Sequence, residues 1–555
     1  MRKIFNDLRQ IVKASEISNL KLIYIGFLIL LVMFLETLSI GILIPIVDLI
    51  LSDELNSNIN QIIELLNLDF NSKYNLLYQF SFLLILFFIL KMIVLIYCNW
   101  YQTNFLVDFR IKLSRLIFKK YSNVSYEDSL FNNTSTILRD LNSESEKTAG
   151  IIKNSLIILT ELLVISGIIT LLFLVNMEVT LSVIIFMFFA VYFLIKLLQK
   201  KLHEWGSKRI FVDQKKNESI QNTFTGFKEI IINKTINFFY KSFDEFQSTS
   251  AKLNGYRIFI QTLPRLWIEF MVIITFSLII IILKGNSIDE LIKILSLFLI
   301  SCLKLIPSAN KIVTQLQGLK FFLPSVNRVN HIISNFEHAV KDDKKNDNRK
   351  KVPIEDIQFK NVNYNYKNQK DFVFNNLNLQ INSGDCVGVY GKSGSGKSTF
   401  VNLISFLLYP KSGEITVNNE NFEISKQIIQ NNIGYVSQNT FIFEGSVRDN
   451  IIFGRNTTGS NENLSKKIEN SIRLSNLSDF INSLNHKTES ILSENGNNLS
   501  GGQKQRLGIA RALFNDPEIL ILDEATSALD ENSSNLIMSE IYNLKKKKTL
   551  VIISH

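Results

Sequence analysis

The sequence predicts a polytopic α-helical membrane domain of six spans followed by a cytoplasmic α/β domain built around a phosphate-binding loop. Three observations predict it. Six apolar runs crowd the chain before residue 307, a glycine-rich loop begins at Gly391, and an apolar run ends in two carboxylates at Asp523 and Glu524. The bulk composition agrees, with 46% hydrophobic and 20% charged residues and a mean hydropathy of +0.16. Such a chain has too much apolar surface to stay disordered. Cys98, Cys302 and Cys386 are odd in number, scattered and form no CxxC, which excludes a disulfide framework. The histidines His203, His331, His338, His486 and His555 show no metal-ligand spacing.

A bilayer core of ~30 Å needs about 20 helical residues to cross it. Runs at 22–51, 76–97, 156–175, 179–195, 266–283 and 291–306 meet that length, the two shorter ones with flanks that extend them. Six such runs in roughly 300 residues are too many for the core of a soluble domain. Arg2, Lys3, Arg9, Lys13 and Lys21 precede the first span, so the N-terminus is placed on the cytoplasmic side. The following loop carries Asp53, Glu54, Glu64 and Asp69, is expected outside, and reads as a short helix at 60–68. Turns at 176–178 and 285–290 are short and external. The basic segments 101–150 and 196–260 are inside, and both termini are then cytoplasmic. The net charge of +10 is thereby largely topological, and nucleic acid is not a predicted partner.

The first twenty residues lack the apolar core of a signal peptide and read as an amphipathic helix on the inner membrane surface. The two inside segments are too long for turns. About twenty extra residues carry a helix ~30 Å beyond the bilayer, and the chain is expected to turn back near 126–135 and 219–228.

Residues 338–351 are rich in Lys, Asp and Asn and read as a solvated linker between a membrane domain at 1–337 and a second domain at 352–555. In that second domain Gly391-Lys392-Ser393-Gly394-Ser395-Gly396-Lys397-Ser398 fits GxxxxGK[ST], between an apolar strand at 386–390 and a helix opening at Thr399. The glycines let backbone N–H groups turn inward around phosphates, and the helix N-terminus adds a favourable dipole. Lys397 is assigned to the β- and γ-phosphates of ATP, and the Ser398 hydroxyl to Mg²⁺. The run 519–524 is a buried strand delivering Asp523 to Mg²⁺ and Glu524 to the attacking water. Between them, Leu499-Ser500-Gly501-Gly502-Gln503 heads a helix and forms a second anion site. One domain seldom needs two, unless a second copy supplies one of them. A dimer with ATP between subunits is expected.

LSGGQ resembles the signature of ATP-binding-cassette (ABC) proteins, and the other elements of that family fall in order. By resemblance Tyr366 stacks on adenine, and Gln438 is the Q-loop residue that joins Mg²⁺ and the membrane contact. Glu494 stands where exporters carry their X-loop, Ser527-Ala528-Leu529-Asp530 is the D-loop, and His555 is the switch histidine that contacts the γ-phosphate. The chain is similar to an ABC exporter half-transporter of the type I arrangement, active as a homodimer in a bacterial inner membrane. The tips near 126–135 and 219–228 resemble coupling helices that dock beside the Q-loop. Family cassettes usually continue past the histidine. The stop at His555 is expected to mark a fragment or a domain that ends early.

The cassette does not reveal what is moved. Gly226-Phe227-Lys228-Glu229-Ile230, the run 263–269 and the run 303–310 resemble segments of bacterial lipid-linked oligosaccharide flippases. Lys91 and Lys304 lie about 15 residues from the outer ends of their spans, roughly 20 Å deep, and Arg265 begins the fifth span on the same side. Intramembrane charges are costly and commonly functional. One reading has all three lining a basic pocket for a phosphate or pyrophosphate head group in membrane lipid. The other pairs them with Glu36, Glu161 or Glu269 or lets them snorkel. The expected activity is ATP-driven flipping of a phosphorylated, lipid-linked glycan. Alternatives are export of a peptide, drug or other lipid, and, in another class, an ATP-gated channel or regulatory module without turnover. The absence of a fused N-terminal peptidase disfavours a dedicated peptide exporter, and Glu524 and His555 disfavour the gating module.

Overall fold

A computed structural model of the chain describes residues 2–43, 73–130, 133–175, 177–282, 288–335, 352–367, 369, 371–455, 461–525, 531–544 and 548–554. The predicted external helix at 60–68, the linker at 338–351, the segment 527–530 and His555 lie outside the described residues. Contacts divide the chain into two units, Met1–Val124 with Asn132–Lys341, and Ser125–Phe131 with Asp342–His555.

Among the described residues of the first unit, five helices are long and apolar enough to cross a bilayer, within Asn19–Gly41, Tyr74–Ser122, Thr134–Leu174, Ile236–Ile281 and Ile294–Ser334. The predicted span at 179–195 lies inside the continuous helix Met177–Thr225, which is not among the five, so the sixth span rests on the sequence. The expected extensions are present. Helices Lys73–Ser122, Met177–Thr225, Ile236–Ile282 and Ile288–Asn335 run for 50, 49, 47 and 48 residues. At 1.5 Å per residue each is about 70–75 Å long, more than twice the hydrocarbon core. Helix Asn19–Gly41 buries Ile25, Leu28, Ile29, Val32, Leu35, Glu36, Ser39 and Ile40, the three-and-four spacing of one helical face. On Lys73–Ser122 the exposed face is itself apolar, with Phe82, Ile85, Leu86, Ile89, Ile93 and Ile96 pointing outward. A helix apolar on both its packed and its open face suits lipid and not water.

Beyond the apolar zone, the helices are fastened by charge. Asp140 is fully buried, accepts the Tyr121 hydroxyl at 2.6 Å, and pairs with Arg139 at 2.7 Å and Arg328 at 2.8 Å. Burial, reinforced by that carboxylate, pushes the Tyr121 phenol pKa up and keeps it a donor. Glu144, also buried, faces Arg209 at 3.4 Å, and the Arg209 guanidinium stacks over Phe321 at 5.5 Å. Both acids sit on a π-helical step, Asp140–Glu144, that adds a residue to the turn between two α-helices.

The second unit has two main sheets and a two-stranded antiparallel ribbon, β6 Gly445–Ser446 with β7 Ile491–Leu492. One sheet is antiparallel in the order β2-β1-β4, with β1 Asp356–Tyr364, β2 Phe374–Asn382 and β4 Ser412–Val417. The other is parallel in the order β3-β9-β8-β5, with β3 Cys386–Val389, β5 Ile433–Val436, β8 Ile519–Asp523 and β9 Thr549–Ile553. Ile357, Phe359 and Ile415 from the first meet Ile521 and Val551 from the second, with Phe400 stacked on Phe359 at 5.6 Å. Strand β8 lies between β9 and β5 and buries its four apolar residues, which is why its sequence runs apolar without alternation. Gly434 in β5 allows the signature-bearing helix to pack against the sheet, since a Cβ there would meet the Ala512 carbonyl at 2.7 Å.

Candidate functional site

All four parallel strands point their C-terminal ends the same way, and in open α/β sheets ligands bind at that edge. Strand β3 leaves it through Tyr390 into the predicted phosphate loop, β8 ends in Asp523, β5 leads on to Gln438, and β9 ends at Ile553 opposite Asp523. Loop residues 391–396 lead directly into the helix Lys397–Ile404. Gly396 is its N-cap at φ 95, a left-handed conformation that glycine alone adopts freely, and a Cβ there would strike Val373 at 2.8 Å. Ser395 N–H donates to the Lys392 carbonyl at 3.1 Å, and the Lys397 ammonium donates to the Gly391 carbonyl at 2.7 Å, closing the loop on itself.

A cavity of about 400 Å³ gathers most of the residues read from the sequence: Tyr366, Ser393, Gly394, Gly396, Lys397, Ser398, Thr399, Gln438, Asp523 and Glu524 all line it. Gly391, Lys392 and Ser395 form the loop behind it. Tyr366 is steadied by an edge-to-face contact with Tyr364 and by a hydroxyl contact with Thr399 at 3.1 Å, so its ring is held at the cavity wall. Glu524 sits just past β8 at φ 50, unusual for a residue with a side chain. Such a conformation costs on the order of 1–3 kcal/mol and is a feature of active sites. Three contacts hold it. Its N–H donates to the Ile553 carbonyl at 3.2 Å, its carbonyl accepts from Gln505 at 3.4 Å, and its carboxylate accepts the Gln438 amide at 2.5 Å.

Asp523 accepts the Tyr435 hydroxyl at 3.3 Å. Burial, with the Glu524 charge beside it, raises the Asp523 pKa above the ordinary aspartate value, against the opposing pull of Tyr435 and Lys397. Burial likewise raises the Tyr435 pKa, so the phenol stays a donor. The donors for a metal here are the Ser398 hydroxyl, the Gln438 amide oxygen and the Asp523 carboxylate. Hard oxygens with a single carboxylate suit Mg²⁺, which keeps waters and shares its shell with nucleotide phosphates. Among the described residues no group of three His, Cys, Asp or Glu offers an all-protein metal cage.

Ser500, Gly501, Gly502 and Gln503 do not line this cavity. Ser500 caps the helix Gly501–Leu513: its hydroxyl accepts from Gln503 N–H at 3.2 Å, and the Gln503 side chain accepts from Ser500 N–H at 2.8 Å. The same helix carries Gln505, nearly buried, to the back of Glu524. No motif marks Gln505 or Tyr435, although Tyr435 stands three residues before Gln438 in a strand that aims it away from the core. Glu494 sits on a short 3₁₀ turn, Glu494–Gly496, whose Asn495 is also left-handed at φ 55. The first tip forms the helix Tyr126–Ser129, capped by Ser125, and belongs by its contacts to this unit. Its Glu127 accepts from the Lys367 N–H at 3.2 Å and Asp128 pairs with the Lys367 ammonium, so it meets the unit next to Tyr366. This pairing lowers the Asp128 pKa.

In the first unit a second cavity, about 410 Å³, is lined by Glu36, Gln102, Glu161, Lys304, Lys311 and Gln315 among apolar residues. Here the sequence expectation needs correcting. Lys304 lines this cavity, but Lys91 and Arg265 do not. Lys91 and Lys304 converge on Glu36, at 2.8 and 2.6 Å, because one buried carboxylate has two oxygens to share. Arg265 pairs with Glu269 one helical turn along its own exposed face at 2.8 Å. Lys311, unmarked in the sequence reading, pairs with Glu161 at 2.6 Å.

Residues 374–527 match the ABC transporter family. An ATP-dependent lipid A-core flippase of Pectobacterium atrosepticum is 39% identical over 201 residues, 36% of this chain and 34% of that one. The alpha-hemolysin translocation ATP-binding protein HlyB of Escherichia coli O157:H7 is 39% identical over 201 residues, 36% of this chain and 28% of that one. The matched stretch thus spans about a third of the length of these curated relatives. A bacterial Atm1-family ABC exporter with ATP bound superimposes over 97% of this chain and 92% of its own, with a TM-score of 0.78 at 18% identity. Residues 374–527 are therefore an ABC transporter domain, and the chain that carries it has the fold of an ABC exporter.

Proposed function

We propose that two copies of this chain hydrolyse ATP to drive export across a membrane. The observation that carries this reading is the cavity where phosphate loop, Gln438, Asp523 and Glu524 meet while Ser500–Gln503 stay outside it. A signature that does not line its own chain's nucleotide cavity is suited to close the site of a second copy. In each site the loop amides and Lys397 would hold the phosphates, Ser398 and Asp523 would hold Mg²⁺, and Tyr366 would stack on adenine. When bound, Mg²⁺ would supply positive charge that offsets the charge of the phosphates. Glu524 takes the proton of the attacking water, and Gln438 keeps that carboxylate in place. At the second tip, between helices Met177–Thr225 and Phe227–Ile232, Phe224, Phe227, Ile231 and Ile232 are exposed.

The substrate read here is a lipid-linked oligosaccharide with a phosphate or pyrophosphate head group. The first-unit cavity supports it. Lys304 and Lys311 bring two ammonium groups to a wall that also carries amides and the apolar Val32, Leu95, Ile157 and Val164, and such a wall suits an anionic head group on an apolar tail. The relative named as a lipid A-core flippase is in keeping with this. Charge-assisted contacts of this kind are worth about 1.5–3 kcal/mol. Lys304→Ala and Lys311→Ala should each raise the lipid concentration that half-maximally stimulates ATPase by about 10- to 100-fold. Arg265→Ala, exposed and paired with Glu269, should leave it unchanged. In nanodiscs, full stimulation of both lysine variants by a polyprenyl-pyrophosphate glycan at parental concentrations would remove this cavity as the head-group site.

A further inference from the structure

We propose that Tyr435 is a positioning residue for the magnesium site: its hydroxyl holds the Asp523 carboxylate in the orientation in which it would meet the ion. This rests on the reading of Asp523 as a magnesium ligand and adds to it a residue outside the cassette motifs. The geometry is set by the sheet. Strands β5 and β8 run parallel in register, with Tyr435 beside Ile521 and Val436 beside Leu522, so Tyr435 stands one strand over and just below Asp523. Gly434 and Val436 are buried, whereas Tyr435 alternates to the other side and remains 43% exposed. An aromatic this exposed contributes little to the core. What it reaches is Asp523 Oδ2, at 3.3 Å.

The two adjacent acids thus have separate holders. Gln438 and two main-chain contacts fix Glu524, and Tyr435 fixes Asp523. A donor on one oxygen of a ligating carboxylate sets its rotation and presents the other oxygen to the metal. Removing such outer partners weakens metal affinity about 10- to 100-fold elsewhere. The phenol is also suited to the task chemically, since it donates one hydrogen bond and carries no charge to compete with the ion.

Tyr435→Phe keeps the ring and its packing and deletes only the hydroxyl. In the full chain in nanodiscs, Mn²⁺ serves as the probe, titrated by EPR in the presence of ATP. The expected result is Mn²⁺ affinity weaker by about tenfold, with binding of a fluorescent ATP analogue in EDTA unchanged. The Mg²⁺ concentration for half-maximal hydrolysis should rise by the same factor, and the rate should recover at high Mg²⁺. Unchanged Mn²⁺ affinity, or equal loss of metal-free ATP binding, would overturn the proposal. Ser398→Ala and Asp523→Asn distinguish the two levels. If they weaken Mn²⁺ binding and Tyr435→Phe does not, the positioning role alone falls. If neither weakens it, the magnesium assignment falls first and takes the role of Tyr435 with it.

Discussion

The Glu524→Gln variant is expected to bind ATP, bring two cassettes together and hydrolyse about 10²- to 10⁴-fold more slowly than the parent chain. A carboxylate that accepts the proton of water is replaced by an amide of the same shape that does not. The backbone contacts of residue 524 to Ile553 and Gln505 involve no side-chain atom of it and persist, so the left-handed turn survives. The Gln438 contact changes character, because an amide–amide hydrogen bond lacks the charge of the original. The check is phosphate release at saturating Mg·ATP alongside nucleotide affinity and cross-linking of the dimer. Parental turnover in this variant would take Glu524 out of the reaction.

The second large effect lies in the membrane half. Glu36→Ala is expected to destabilise the folded chain by about 3–5 kcal/mol. Glu36 is 6% exposed and Lys91 8%, so deleting the acid leaves a buried ammonium with its main counter-charge gone. Ser39, which also accepts from Lys91 at 2.8 Å, offers a dipole and no charge. Lys304 is more open and adds less to the penalty. The melting midpoint in nanodiscs should fall clearly for Glu36→Ala and recover in large part when Glu36→Leu is combined with Lys91→Leu, since apolar replacement of a whole buried pair is close to neutral. A midpoint unchanged in Glu36→Ala would show that the pair is hydrated and that the cavity is wet at that depth.

The cassette was legible in the sequence because its chemistry is local. A loop that wraps phosphate needs glycines at fixed spacing, and a strand buried on both faces must run apolar, so Gly396 and β8 announce themselves without knowledge of the fold. The long helical extensions were legible for a related reason: four helices exceed what a bilayer needs, and the surplus is polar. Contacts made across the fold were not legible. Tyr435 and Asp523 are far apart in sequence and meet only because β5 and β8 pair, and Gln505 reaches Glu524 only through the packing at Gly434. In the membrane half, depth along a helix could be counted, but rotation could not. Lys91, Arg265 and Lys304 share a depth, yet the helices turn Arg265 onto an exposed face and the two lysines onto one acid. Lys311, two turns beyond Lys304, shares the cavity because it shares the face.

Movement of a lipid between leaflets is the most direct test of the proposed export. Liposomes containing the purified chain and a fluorescent polyprenyl-pyrophosphate glycan, with cassettes facing outward, report the loss of that lipid from the outer leaflet by quenching with a membrane-impermeant reductant. Protection that appears with Mg·ATP and is absent with ADP, with EDTA or in Glu524→Gln is the predicted result. ATP hydrolysis at the same rate with and without the lipid, and no change in its leaflet, would contradict it.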